Sequence, residues 1–238
     1  MDFWEMIYWD PDLMNSKFKD EAKRILSCLE NGVEDIKLAL SSRFSSSHKL
    51  FFLLLSYFAP EELLFVDIET KSLNFETSII QIGAGYFTNG KFKVLQFTAM
   101  EDAAEYELLE EFKKLLPGKK AFVTFNGRGF DIPFIDGRMG YYGSYPETDI
   151  IEMHNFDLLH FSRCAFKGAY ESFRLKEIEK NILKKQRTND IEGAEAEIYY
   201  SRYLQTKNFK YLEPIIYHNY EDIVSLAVLL NRLIREWA

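Results

Sequence analysis

The sequence predicts an α/β protein: a mixed five-stranded sheet flanked by helices, with an N-terminal helical extension. Three observations carry this. Leu63-Leu64-Phe65-Val66 is a short, continuous apolar run, the pattern of a central strand buried on both faces. Asn89-Gly90, between two strand-like segments, is a hairpin signal. Beyond that hairpin, helix-like and strand-like segments alternate and end in a long helical stretch, the order of a meander followed by βαβ-type units.

Taken in order, residues 1–60 read as the extension and 61–238 as the main domain. From Ser16 to Leu40, apolar residues such as Phe18, Ala22, Ile25, Leu29, Val33 and Ile36 recur at helical spacing, with a break at Asn31-Gly32. The serines from Ser41 to Ser47 read as a loop. Strands are predicted at Leu63 to Val66, Ser78 to Phe87 and Phe92 to Phe97, the last two joined through Thr88-Asn89-Gly90-Lys91. Ala104 to Leu116 reads as a helix stopped by Pro117-Gly118. Ala121 to Phe125 is a fourth strand. Ile132 to Met139 is a helix with Pro133 in its first turn, where the missing N–H costs nothing. Phe156 to Leu159 is a fifth strand, and a final helix runs from about Pro214 to Trp237.

Composition sets bounds on function. The 238 residues are 47% hydrophobic and 28% charged, enough apolar surface for a sizeable core. A net charge of -8 argues against a passive nucleic-acid binder, which carries a basic excess. It argues less against an enzyme whose acids gather around metal ions, because bound cations reverse the local field. Cys28 and Cys164 lack the spacing of a zinc or redox motif, and two free thiols in a reducing cytosol is the plainer reading. The first ten residues have no basic region before an apolar run, and the most apolar stretch, Leu50 to Phe58, is too short to span a bilayer. A soluble, cytoplasmic protein without membrane partners is expected; nothing in the sequence points to a protein partner.

Asp67 and Glu69 directly follow the first apolar run, and residues two apart on a strand share a face. Two like charges so placed repel unless cations neutralise them, and hard oxygen ligands suit magnesium or manganese. The plain alternative is two solvated acids at a strand end. Asp131 follows a strand and the glycine-bearing turn Asn126-Gly127-Arg128-Gly129; alternatively it caps the next helix. Asp222 lies on the last predicted helix, with His218 four residues earlier on the same face. An imidazole beside a metal-bound carboxylate can orient or deprotonate a water, whereas a surface His–Asp pair gives only a small helix-stabilising gain.

Taken together, the acids and their motifs resemble the DEDD exonuclease superfamily, and more narrowly the YprB-like, ribonuclease-H-like exonuclease family. The similarity runs from about Leu63 to Leu233. It includes Asp-Ile-Glu-Thr at 67–70, Phe-Asn-Gly-Arg-Gly-Phe-Asp-Ile-Pro at 125–133 and Asp-Leu-Leu-His at 157–160. It continues with Arg-Thr-Asn-Asp-Ile-Glu-Gly at 187–193 and His-Asn-Tyr-Glu-Asp-Ile-Val-Ser-Leu at 218–226. The resemblance implies a ribonuclease-H-like exonuclease domain over 61–238, acting on DNA or RNA, with two divalent cations, Mg2+ or Mn2+, on Asp67, Glu69, Asp131 and Asp222. It implies a water-positioning role for His218. Thr70 and Asn126 become substrate contacts, Asn126 alternatively a structural residue. Asp157 reads as organising a strand-to-helix turn, and Asp190 and Glu192 as part of a surface loop near the substrate path. Basic residues around that loop, with Arg163 and Lys167, either contact phosphates or form a solvated face. Where the superfamily has Tyr four residues, or His five residues, before the last Asp, this sequence has His218 and Tyr217. Lys71 and Ser72 replace the usual Thr-Gly after the first motif.

The implied function is metal-dependent phosphodiester hydrolysis, with 3′-to-5′ exonuclease polarity. Its rivals are a catalytically silent nucleic-acid-binding module on the same fold and a structure-dependent endonuclease using the same acids.

Overall fold

A computed structural model describes residues 7–9, 55, 58–188 and 190–237. The helical segments expected over 16–40 lie outside the described residues. Six strands form one sheet: β1 (Ile7–Trp9), β2 (Leu63–Thr70), β3 (Ile79–Thr88), β4 (Lys91–Thr98), β5 (Ala121–Thr124) and β6 (His154–Asp157), in the order β1-β4-β3-β2-β5-β6. The five expected strands are its body. β1 is an addition, an antiparallel edge strand on β4 with Tyr8 opposite Leu95. Three residues are too short for a periodic pattern to reveal.

The central strand is β2. It runs antiparallel to β3, with Asp67 opposite Gly83, and parallel to β5, with Leu63 opposite Ala121. The β3–β4 turn is closed by Asn89 (φ 50°) and Gly90 (φ 72°), the paired left-handed residues that a two-residue hairpin requires. The crossover from β4 to β5 carries α1 (Glu105–Lys113), and that from β5 to β6 carries α2 (Asp131–Tyr142). The fifth strand was expected at Phe156 to Leu159. It is instead His154–Asp157, because Asp157 caps the following helix, α3 (Leu158–Ala165), by accepting from Leu159 N. Beyond it come the short α4 (Leu175–Ile178), running into a wider turn over Glu179–Leu183, then α5 (Ala196–Thr206) and α6 (Glu213–Trp237).

Alternation along β2 divides the core. Leu64, Val66 and Ile68 point to one face and pack with Leu108, Leu109 and Phe112 of α1 and Phe134, Ile135 and Met139 of α2. Leu63 and Phe65 point to the other, against Ile223, Leu226, Ala227 and Leu230 of α6. Asp67 and Glu69 continue that second row, so the strand aims both carboxylates at α6. Gly83 makes the close approach of α6 possible. A Cβ there would stand 2.3 Å from Asn219 Oδ1, so any side chain on this part of β3 would push the helix off the sheet.

Candidate active site

Three elements converge at the C-terminal end of β2. The strand supplies Asp67 and Glu69, α2 supplies Asp131 as its first residue, and α6 supplies His218 and Asp222. Asp131 is not a helix cap. Its Oδ1 accepts from Ile68 N at 3.0 Å, which ties the start of α2 to the strand between the two other acids. Asp67 is held by Asn219, whose Nδ2 donates to Asp67 Oδ2 at 2.9 Å and to its carbonyl at 3.1 Å. Asp222 Oδ1 accepts from Arg187 Nη2. One oxygen each of Asp67 and Asp222 is thus pinned, and the other oxygen of Asp222, Oδ2, faces His218 Nε2 at 3.6 Å. Glu69, His218 and Asp222 each offer a ligand atom, and these atoms lie within 4.8 Å of one another.

The electrostatics follow from that crowding. Burial first, and then the charges of Asp222, Asp131 and Glu69, push Asp67 well above the usual carboxylate range. Glu69 is pushed up likewise, by burial and then by Asp222, Asp131 and Asp190. Burial raises Asp131 to about 7, although two backbone N–H groups oppose it. Acids driven this far toward the neutral form are a site short of positive charge, and the donor set is all hard oxygen plus one imidazole. The residues fit a magnesium- or manganese-type ion.

Asp67, Glu69 and Asp222 open onto a cleft of about 520 Å³ whose walls include Thr70, Lys71, Leu73, Phe130, Gly193 and His218. Thr70 lies on its wall, but its hydroxyl donates to Ser72 O at 2.7 Å and so shapes the loop after β2. Asn126 stands apart, exposed in the loop before α2 with φ 68°. Its backbone N–H donates to Asp157 Oδ1 at 2.9 Å, so Asp157 both caps α3 and ties down that loop.

Two sequence expectations are corrected. Asp190 is not on the surface: its side chain is 4% exposed and its Oδ1 is 2.8 Å from His218 Nδ1. Glu192 is exposed and lines a second cavity of about 250 Å³ that shares Gly193, His218 and Asp222 with the cleft. The basic residues before them are not ready for phosphates either. Arg187 is committed to Glu179, Asp190 and Asp222, and Lys185 to Glu179, Glu221 and Ser225. Arg163 and Lys167 are exposed and do not line the cleft.

Asn219, Gln81 and Gln96 were missed as site residues. Asn219 Oδ1 accepts from Gln81 Nε2 at 3.1 Å and from Gln96 Nε2 at 2.9 Å, so one buried amide network spans three strands and positions Asp67. The available signal was a glutamine inside each of two apolar strands, because a buried amide needs partners.

A family model described as RNase H superfamily matches residues 64–234. The chain belongs to the RNase H superfamily. The protein YprB of Bacillus subtilis (strain 168), an uncharacterized protein, is 27% identical over 170 residues of this RNase H superfamily chain. The match covers 70% of this chain and 40% of YprB. Among solved structures, the family B DNA polymerase from the hyperthermophilic archaeon Pyrobaculum calidifontis superposes with a TM-score of 0.56 at 17% identity. That match covers 72% of this chain and 24% of the polymerase, and it shows a shared fold. Among the described residues, no helix is long and apolar enough to cross a membrane.

Proposed function

We propose that the protein is a metal-dependent nuclease that hydrolyses phosphodiester bonds of DNA or RNA, removing nucleotides from a 3′ end. In this reading Asp67, Glu69, Asp131 and Asp222 hold two divalent cations, Mg2+ or Mn2+. The observation that carries it is the crowding of these four carboxylates. Asp67, Glu69 and Asp222 line one cleft, and Asp131 is bonded to the strand between the first two. Burial with the neighbouring charges pushes Asp67, Glu69 and Asp131 above the usual carboxylate range. Superfamily membership supports the nuclease chemistry. The cysteines, which lack any paired motif, suit a soluble enzyme of the reducing cytoplasm.

When bound, such ions lower the pKa of an attacking water and stabilise charge on the leaving oxygen. The protein's own groups do the rest. Asn219 and Ile68 N hold Asp67 and Asp131 in fixed orientations before substrate arrives. His218 Nε2 sits 3.8 Å from Glu69 Oε1 and 3.6 Å from Asp222 Oδ2, where it can accept a proton from the nucleophilic water. Thr70 lines the path of the substrate, and Asn126 meets the strand outside the cleft.

The test is cleavage of end-labelled single- and double-stranded DNA and RNA with Mg2+ or Mn2+, against EDTA and against Asp67→Ala. Stepwise loss from a free 3′ end, absent in the variant, is the expected result. Cleavage of circular or end-blocked substrates would make it an endonuclease. Binding without cleavage under any metal would leave a silent module.

A further inference from the structure

Behind His218 lies a cluster of buried charge to which the reading above gives no role. Asp190 Oδ1 is 2.8 Å from His218 Nδ1. Its Oδ2 is 3.0 Å from Arg187 Nη1 and 3.2 Å from Lys176 Nζ. Arg187, 4% exposed, is itself clamped by Glu179, with Nε to Oε2 at 2.7 Å and Nη2 to Oε1 at 2.6 Å, and Nη2 also reaches Asp222. Asp190 and its partners thus form a rigid backing plate that touches both functional residues of α6.

Hydrogen-bond chemistry gives the plate a direction. An ionised carboxylate only accepts, so the proton between Asp190 and the ring sits on Nδ1. The neutral imidazole then carries its lone pair on Nε2, the atom that faces Glu69 and Asp222. Neutralising Arg187 does not require this contact, because Glu179 and Asp222 already face that guanidinium.

We propose that Asp190, held by Arg187 and Lys176, is a positioning residue that fixes the tautomer and ring plane of His218 so that Nε2 enters the cleft as a proton acceptor. The catalytic consequence rests on the nuclease reading; the structural arrangement does not.

Asp190→Asn separates the possibilities. Arg187 and Lys176 are both donors and claim the amide oxygen. The amide NH2 then faces His218 Nδ1 and forces the ring proton onto Nε2, the wrong side. The experiment records 15N-imidazole spectra of the metal-free protein at a pH high enough to keep the ring neutral, with His218→Gln to assign the signals. It also measures kcat, KM and calorimetric Mn2+ affinity for wild type, Asp190→Asn and Asp190→Glu.

The wild-type ring should be Nδ1-protonated and the Asn variant Nε2-protonated. The Asn variant should lose about 10²-fold or more in kcat, the range of a general base, with KM and Mn2+ affinity little changed. Asp190→Glu should regain part of the rate and the wild-type tautomer. An Nε2-protonated ring in the wild-type protein overturns the proposal even if the Asn variant fails to fold. So does an Asn variant that keeps both tautomer and kcat. A wild-type protein that cuts nothing removes the nuclease reading, while the spectra still decide for or against Asp190.

Discussion

At Asp131 the fold holds a carboxyl group against its preference for water. Burial raises its pKa from 3.8 to about 7, so the folded chain binds this proton more tightly than the unfolded chain. The sign follows from proton linkage. The stability this group contributes is fully present below about pH 4 and is lost as pH rises through about 7. Asp131→Asn keeps an oxygen for Ile68 N–H and cannot ionise. In urea unfolding of metal-free protein, the variant should gain on wild type as pH rises from about 4 to about 7 and hold that gain above. Parallel stability curves across this window would show that Asp131 does not carry the strain. His218 makes a second residue-level case. Burial opposes its charge, but the Asp190 hydrogen bond and the charges of Asp222 and Asp190 hold its pKa above the ordinary value. His218→Ala should reduce turnover by about 10²-fold or more. Tyr217→Phe should stay near wild type, because Tyr217 is exposed on another face of α6 while Tyr220 packs into the core. A fully active His218→Ala beside a crippled Tyr217→Phe would transfer the role to the tyrosine.

Between elements, one buried ion pair sets where Asp131 can stand. Glu105 on α1 is fully buried and takes Arg138 of α2 in a two-point grip, Nε to Oε1 at 2.8 Å and Nη2 to Oε2 at 2.5 Å. The same carboxylate accepts from Ile79 N of β3 at 2.7 Å and from Tyr142 OH at 3.0 Å. Both helices are thereby tied to the sheet, two turns from the acid that begins α2. Removing one partner of such a pair strands the other, at a cost of about 3–5 kcal/mol, whereas a well-packed apolar pair is close to neutral. Glu105→Ala should therefore lower unfolding free energy by roughly that amount, and Glu105→Leu with Arg138→Met should recover most of it. Urea titration of the three proteins decides. A double variant no more stable than Glu105→Ala would mean that the pair is not coupled. The difference between this pair and β2 also explains what was legible in the sequence. The strand, its two carboxylates and the face they share follow from neighbours in the chain, where period and apolarity are direct signals. Asp131 and Asp222 were readable because each stands beside an element boundary or a helix-spaced partner. Asp190 with His218 and Arg187 with Asp222 join positions 28 and 35 residues apart across α5 and its flanking turns, and Asn219 meets Gln81 from 138 residues away. No periodicity encodes such contacts, so Arg187 and Asp190, read as part of a surface loop near the substrate path, are instead buried against the site.

For the molecule as a whole, the metal-free fold carries a concentrated excess of negative charge within a chain already at -8. Asp67, Glu69 and Asp131 each resist ionisation, so ionising them destabilises the metal-free native state. A cation that binds the folded site and not the unfolded chain relieves that repulsion and adds its own binding free energy. At a concentration 100 times its dissociation constant it stabilises by about 2.7 kcal/mol, which in a domain of this size raises the melting temperature by roughly 5–10 °C. Wild type should show that rise with Mn2+ and lose it with EDTA. Asp67→Ala should melt no lower than wild type without metal, because one repelling charge has gone, and should respond to Mn2+ much less. The two effects have opposite signs, so one set of melting curves with and without metal separates a cation site from a cluster of ordinary structural acids. In structural acids, losing Asp67 would lower the metal-free melting temperature and Mn2+ would leave both proteins unmoved.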